Sequence, residues 1–434
     1  MAPFGRSVRP VSILFCAVLL MALAPATSAV AAGPEGSVII ANDGQFDAAH
    51  GVRRGTGTKQ NPYVIEGWEL QQLEIHDTTR HVLIRNNIIG TLTLNWIGDR
   101  ATVVRNRIRD LRVNENVKRT GTATDGMITN NRFDQVGQLR HYDGVFANNV
   151  VGTPENGSTE TYAISTTHRR IANLDGFNGA RYVDNLFYGY VETRLHGHHH
   201  SSGFQDNSHY HGNEPRGESL THMQRYHSMT FRGNRIVSEG PYGLIFTDSN
   251  HSANDRTATS ETNEALNDPH AHHTKVLIEN NELVGSGIVV DIFNAEDSKH
   301  LRSVTGHMTI QRNDIKVQEY RHTVNAWDEP AVGIEVRDAN DLHLTIADNQ
   351  IAGPSKQQTV VSDAANGFVG AGIKLVRVKG AAIHLMDNMV ANRQVGVLAR
   401  EFTRVDWWIH GLKTDAVATE VDYDNSSSEP RGRP

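Results

Sequence analysis

The 434-residue sequence predicts an all-β protein that folds as a parallel β-helix, a solenoid in which each coil contributes three short strands. One observation is a recurring pattern, in which an Asn is followed by any residue and then by an apolar residue. A second is that short β-rich runs with strand-like alternation, such as residues 82–84, 101–104 and 342–346, surround these Asn residues. A third is that no segment longer than a turn or two keeps a helical period.

The spacing of the pattern indicates the length of a coil. The Asn residues at positions 86, 106, 131 and 149 are separated by 20, 25 and 18 residues, whereas one later step reaches 49 residues. We therefore expect about 10 to 14 coils of about 20 residues each. Long insertions interrupt them at about residues 152–181, 191–229, 250–275, 319–330 and 353–370.

Asn suits a tight turn between two strands. It tolerates the left-handed backbone conformation that such a turn requires. Its side-chain amide can also bond to the Asn of the next coil and so form a ladder along the solenoid. A β-sandwich or a propeller with Asn-rich turns is the alternative, although sandwich hairpins favour Asn-Gly pairs, which these turns lack.

Residues 55–68, with the sequence GTGTKQNPYVIEGW, resemble the motif that begins the first coil of secreted right-handed parallel β-helix repeat proteins. These belong to the pectate-lyase-like superfamily, and the chain looks most like the group of the periplasmic, copper-associated NosD proteins. The Asn turns extend the resemblance over about residues 37–415. The resemblance implies a single right-handed parallel β-helix with long loop insertions. It does not fix a function, because this fold hosts lyases, hydrolases, epimerases, adhesins and metal-delivery accessories.

The first residues have the pattern of a secretion signal. Arg6 and Arg9 precede an apolar run, residues 11–23, and Ala29-Val30-Ala31 fits the rule of small residues at a cleavage site. We expect a secreted protein, periplasmic or extracellular, without a stable membrane anchor. The predicted regions are a signal peptide at residues 1–31, an N-terminal cap at 32–62, the β-helix at 63–415 and a disordered tail at 416–434.

Charge and composition restrict the partners. The chain has 42 Lys and Arg against 49 Asp and Glu, a net charge of −7, which argues against a nucleic-acid binder. The one cysteine, Cys16, lies in the predicted signal, so a mature chain would have no disulfide and no thiolate metal site. We expect a monomer that binds a polysaccharide or a cell-surface glycan.

Histidine is the residue type that stands out. Of the 23 histidines, 12 lie in residues 196–227 and 251–273. His-x-His pairs in an extended segment point to one side, and imidazole suits Cu or Zn. The candidate metal ligands are His196, His198, His200, His209, His211, His270 and His272. The alternative is a solvated polar segment that binds metal only adventitiously, and we expect strand histidines such as His343 and His384 to be structural.

The same region offers residues for carbohydrate chemistry. Polysaccharide lyases and epimerases of this fold remove a proton beside a uronate carboxylate with a basic residue, often with Ca²⁺ or Arg neutralising the acid. Candidates for this chemistry are His199, Arg225, His227 and Arg194. Candidates for binding the sugar are Tyr188, Tyr190, Tyr242, Trp327 and Arg232.

Three functions therefore stay open. The first is a secreted protein that binds, and as an enzyme would cleave or epimerise, an acidic polysaccharide. The second is a NosD-like accessory protein that binds copper or zinc through its His-rich segments. The third is a non-catalytic surface or adhesion module. The sequence leaves undecided whether the chain is an enzyme.

Overall fold

A computed structural model describes residues 36–423 with gaps. The gaps are residues 96, 98–99, 115–125, 143, 155–171, 177–179, 196–225, 239–242, 249–272, 292–304, 319–331, 338, 340–341 and 355–369. The predicted signal peptide lies outside the described residues. Among the described residues no helix is long and apolar enough to cross a membrane.

The described residues form strands and two short 3-10 helices, Asp43–Gln45 and Ala48–His50. The strands are β1 (Gly36–Ile40), β2 (Val52–Arg54), β3 (Tyr63–Glu66), β4 (Glu69–His76), β5 (Val82–Arg85), β6 (Ile88–Asn95), β7 (Ala101–Val104), β8 (Arg107–Asn114), β9 (Met127–Thr129), β10 (Arg132–Tyr142), β11 (Val145–Ala147), β12 (Val150–Val151), β13 (Ala172–Gly176), β14 (Ala180–Val183), β15 (Leu186–Tyr188), β16 (Val191–Leu195), β17 (Tyr226–Arg232), β18 (Arg235–Val237), β19 (Leu244–Asp248), β20 (His273–Glu279), β21 (Glu282–Gly285), β22 (Ile288–Asp291), β23 (Thr305–Gln311), β24 (Asp314–Val317), β25 (Ile334–Arg337), β26 (Leu342–Ala347), β27 (Gln350–Ala352), β28 (Ala371–Val376), β29 (Ala382–Met386), β30 (Met389–Ala391), β31 (Val395–Arg400), β32 (Asp406–His410), β33 (Lys413–Asp415) and β34 (Thr419–Tyr423).

These strands form two long parallel sheets, which confirms the predicted all-β, solenoid-like fold. Sheet 1 has 13 strands and sheet 2 has 21. Pairing is parallel throughout except between β2 and β3 at the N-terminal end. Twelve strands of sheet 1, all except β2, each begin a coil, and every coil then continues into sheet 2.

Sheet 2 has two halves. In the first coils one long strand crosses both halves, as in β4, β6 and β8, with eight residues each. The 11-residue strand β10 pairs with both β12 and β13, and from there each coil has one short strand in each half. Three strands per coil, as predicted, are therefore present from the fifth coil onward.

Several predicted boundaries differ from the structure. The predicted insertion at 152–181 contains strand β13, and the one at 191–229 contains β16 and the start of β17. The predicted disordered tail contains β34, in which Val421 packs against the core, so the stack of coils continues to Tyr423. These strands are so short that their alternation of apolar and polar residues cannot be recognised in the sequence next to an insertion.

A ladder of ten buried Asn side chains joins the coils at the turn between sheets 1 and 2. Each amide donates to a main-chain carbonyl of the preceding coil, and the first nine also donate to the Oδ1 of the Asn in the next coil, at 2.9–3.2 Å. The ladder residues are Asn87, Asn106, Asn131, Asn149, Asn185, Asn234, Asn281, Asn313, Asn349 and Asn388. A buried amide with partners on both sides fixes the register of each coil against the next.

The left-handed residue of the turn is not the ladder Asn. It is the residue before it, with φ near 55° at positions such as Arg105, Asn148 and Asp184. The expectation that the pattern's Asn supplies both the left-handed conformation and the ladder is therefore wrong. Two successive residues divide these roles, and the first ladder member is Asn87 rather than Asn86.

A second column, of glycines, lies at the start of the second half of sheet 2. A Cβ added to Gly287 would lie 2.0 Å from the carbonyl oxygen of Val332, and one added to Gly333 would lie 2.6 Å from that of Gly372. Only glycine permits this approach of one coil to the next. The column comprises Gly243, Gly287, Gly333, Gly372 and Gly396.

The first coil is closed by the segment that contains the two 3-10 helices. The indole of Trp68 donates a 2.7 Å hydrogen bond to the carbonyl of Gly51, and the Arg53 guanidinium lies 3.5 Å from the centre of its ring. The Asp43 carboxylate accepts hydrogen bonds from Thr78 and Thr79. Burial raises the pKa of Asp43, but these hydrogen bonds and the charge of Arg80 outweigh it and lower the pKa to about 2.

We predict that Asn149→Ala destabilises the protein by about 1–3 kcal/mol, because the change leaves buried groups without partners. Asn149 accepts from the main-chain N–H of Asn131 at 2.9 Å and donates to the carbonyl of Ile128 at 2.8 Å. The matched control is the substitution of the adjacent residue, Asn148→Gly. Glycine readily adopts the φ of 54° at this position, so this change should alter stability little. Urea unfolding measures the free energy of unfolding of both variants. Equal losses of stability would contradict the assignment of the ladder to Asn149 and of the left-handed conformation to Asn148.

Asp43 makes the cap sensitive to acid. Its folded-state pKa lies below the ordinary value of 3.8, so its stabilising effect is present above that value and is lost as the pH falls towards about 2. We predict that Asp43→Asn is less stable than the wild type at pH 6 and that the difference shrinks between about pH 4 and 2. Urea unfolding across this range measures it, and a difference that stays constant with pH would refute the assignment.

Candidate functional sites

Most of the predicted site residues lie outside the described residues. These are all seven candidate metal ligands, His196, His198, His200, His209, His211, His270 and His272, together with His199, Arg225, Tyr242 and Trp327. Among the residues that the structure describes, no group of three or more His, Cys, Asp or Glu side chains could hold a metal ion.

The other five predicted residues are spread over three strands and a turn. Tyr188 is half-buried at the end of β15 and packs against the core, and Tyr190 follows in the turn before β16. Arg194 lies in β16, in sheet 2, whereas His227 and Arg232 lie in β17, in sheet 1. Arg232 forms an ion pair with the buried Glu279, which holds the guanidinium in a contact between coils.

The strands on either side of the two His-rich segments are direct neighbours. The first segment, residues 196–225, follows Leu195, and the second, residues 249–272, follows Asp248, and these two residues pair in register. The chain re-enters sheet 1 at Tyr226 and at His273, which also pair. Neighbouring strands lie about 4.8 Å apart. Both His-rich segments therefore leave and rejoin the solenoid at the same corner of successive coils.

Four histidines within strands, His307, His343, His384 and His410, are exposed on sheet 1. His343 and His384, which the sequence analysis expects to be structural, are both exposed and make ring contacts between coils. His343 stacks on His307 of the preceding coil with ring centres 4.9 Å apart, and His384 stacks on Trp408 at 4.5 Å. An alternating strand places every second residue outward, and the sequence pattern alone did not identify which histidines take those positions.

A group of arginines that the sequence analysis did not single out lies at the Asn turn of the third and fourth coils. Arg105, Arg107 and Arg132, here called the basic corner, are exposed, and Arg107 pairs in register with Arg132. They line an open depression of about 480 Å³ together with Asn106, Asn130, Asn131, Asn148 and Val150. The signal for it in the sequence is an Arg on either side of a ladder Asn.

The basic corner differs from equivalent positions on other coils. Arg235, which follows a ladder Asn as Arg107 does, lies 3.1 Å from the Glu282 carboxylate of the next coil. Arg312, which precedes a ladder Asn as Arg105 does, lies 2.5 Å from Glu279. In the part of the chain that the structure describes, the three guanidinium groups of the basic corner have no such carboxylate.

The carboxylates of the neighbouring coils lie too far along the stack to form ion pairs with the basic corner. In the column of Arg107 and Arg132 the adjacent residues are Ile88 and Val150, and Glu69 is reached one coil beyond Ile88. Asp134, two residues after Arg132 on β10, is half-buried and forms no ion pair with it among the described contacts. The basic corner is thus a local positive site on a chain whose net charge is −7.

Comparison with known proteins gives no match. No family model matches the chain, and neither the curated proteins nor the solved structures give a match.

Proposed function

We propose that the chain is an exported protein whose strands form a single right-handed parallel β-helix, and that it binds a transition metal, copper or zinc. The two His-rich segments, residues 196–225 and 249–272, would supply the ligands. The observation that carries the proposal is the in-register pairing of Leu195 with Asp248 and of Tyr226 with His273.

The pairing matters because a metal site needs several ligands at one point. The first segment carries His196, His198, His200, His209 and His211, and the second carries His270 and His272. Segments from opposite faces or distant coils would have to span the solenoid, whereas these two begin one strand spacing apart. Three or four neutral imidazoles are a ligand set that suits Cu²⁺ or Zn²⁺.

The right-handed path is supported by a general rule of chain geometry. Successive strands of each sheet are parallel and are joined by a crossover, and such connections are right-handed in about 98% of cases. Export is supported by the pattern of Arg6, Arg9 and the apolar run at residues 11–23.

We predict that the untagged chain, stripped with a chelator, binds about one Cu²⁺ or Zn²⁺ per molecule. His198→Ala with His200→Ala should weaken binding by at least about tenfold, and His270→Ala with His272→Ala should do the same, since ligand loss exceeds outer-shell effects. If the two segments share one ion, the four-site variant loses less than the sum of the two losses. Titration calorimetry and elemental analysis measure affinity and stoichiometry.

The control is His307→Ala with His343→Ala, which removes two exposed histidines of sheet 1 and should leave the affinity unchanged. Substoichiometric metal in the wild type would contradict the proposal. Strictly additive losses with two ions bound would contradict a shared site.

A further inference from the structure

The basic corner combines unpaired positive charge with an exposed apolar side chain. Arg107 and Arg132 are directly opposed on adjacent parallel strands, and like charges at such positions destabilise a sheet. Ile88 precedes Arg107 in the same column and is 52% exposed. Neither the opposed cations nor the exposed isoleucine contributes to the core, so together they point to a partner outside the chain.

A second exposed apolar side chain lies on the other side of the turn. Met127, 44% exposed, is on β9, the strand of sheet 1 that leads through the turn to Arg132. Of the six large apolar side chains that are exposed among the described residues, Ile88 and Met127 lie on the second and fourth coils. Arg105 and Arg107 lie on the third coil, between them along the stack.

This combination indicates the class of partner. Guanidinium groups bind phosphate oxygens through paired, charge-assisted hydrogen bonds. Cations beside exposed apolar side chains are typical of proteins that bind the surface of an anionic bilayer, because the cations attract the headgroups and the apolar groups enter the acyl boundary. The residues that line the depression include no aromatic ring on which a base could stack, which disfavours single-stranded nucleic acid.

The shape of the corner fits a broad surface. The depression at the three arginines is open, and it lies on the outside of the turn between sheets 1 and 2. The ladder Asn side chains of this turn are buried on its inner side, so the turn is convex towards solvent. The two sheets therefore recede on both sides of the turn, and a flat bilayer can reach the basic corner.

The net charge of −7 does not prevent such a contact. At about 0.1 M salt, charges more than about 10 Å apart are largely screened, so headgroups at the corner respond mainly to the charges nearest them. Glu69 lies two strand spacings from Arg107, about 10 Å, and Asp134 is half-buried. The three exposed guanidinium groups therefore dominate the local potential.

We infer that the basic corner docks the protein on an anionic phospholipid bilayer. Headgroup phosphates bind Arg105, Arg107 and Arg132, while Ile88 and Met127 enter the boundary between headgroups and acyl chains. The His-rich segments join sheet 2 to sheet 1 after the sixth and seventh coils, whereas this surface lies on the second to fourth. The two sites are therefore separate, and docking does not depend on the proposed metal.

The test is co-sedimentation of residues 32–434, which contain all the described strands but not the apolar run at 11–23, with lipid vesicles in EDTA. We expect binding to vesicles of equal parts phosphatidylglycerol and phosphatidylcholine, weakening as salt rises, and no binding to phosphatidylcholine alone. Arg107→Gln with Arg132→Gln should weaken binding by at least about tenfold, because two cations near the headgroups are lost.

The matched control is Arg235→Gln with Arg312→Gln, which changes the net charge by the same amount at equivalent positions of other coils and should leave binding unchanged. Thermal unfolding of both double variants checks that the coils remain folded. A control that weakens binding as much as the test variant overturns the inference, as does equal binding to phosphatidylcholine alone. Binding of inorganic phosphate without binding of anionic vesicles also overturns it.

Insertion of Ile88 is tested with a fluorophore whose emission shifts to the blue in an apolar environment. Residues 32–434 contain no cysteine, so Ile88→Cys gives a single labelling site. The control is Met389→Cys, which has the same position on the eleventh coil, is 40% exposed and has Gln350 and Lys413 as its neighbours. Anionic vesicles should shift the emission of the label at position 88 only. Equal shifts at both positions would overturn the inference.

Discussion

The hydrogen bonds between buried Asn amides of successive coils are the constraint on which the rest of the structure depends. Each amide before the last bonds to the next Asn and to a carbonyl of the preceding coil, as Asn313 does with Asn349 and Ile278. A shift of one residue would turn the amide outward and leave both partners buried without a bond. The ladder therefore holds the register whether successive Asn residues are 18 or 49 positions apart in the sequence.

Because the register is fixed, the pairing of the strands does not depend on the length of the insertions between them. The strands before and after an insertion, such as β16 and β17, continue the pairing of their neighbours on both sides. Side chains at one position then form columns along the stack. Such columns place Arg107 against Arg132, Arg235 near Glu282 and His307 on His343. The proposed metal site follows from this arrangement, because its two segments start at adjacent positions of one column.

Much of the fold could be predicted because the pattern is local. An Asn followed two residues later by an inward apolar residue marks a position within a coil. This pattern predicted the turns and the coil of three strands. The glycine column was missed although its signal is in the sequence, where Gly287 precedes Ile288 and Gly333 precedes Ile334. Glycine is required there because a carbonyl of the next coil comes close, and that carbonyl belongs to a residue far away along the chain.

The sites could be predicted less well, because they depend on which coils are neighbours. Arg232 looks like a free cation in the sequence until Glu279, 47 residues later, is found beside it. Arg107 looks the same, yet it faces Ile88 and Arg132 rather than an acid. Exposure of His343 follows likewise from its place in a strand and not from its residue type.

The central claim is that the strands leading into the two His-rich segments are in-register neighbours, and cross-linking tests it most directly. Arg194 pairs with Thr247, 53 residues later, at a strand spacing that a disulfide can bridge. In a chain with Cys16→Ser, the pair Arg194→Cys and Thr247→Cys should form a disulfide under mild oxidation, detected by mass spectrometry of the unreduced digest. Arg194→Cys with Asp291→Cys, two coils apart, should not. Cross-linking of the second pair in place of the first would contradict the register.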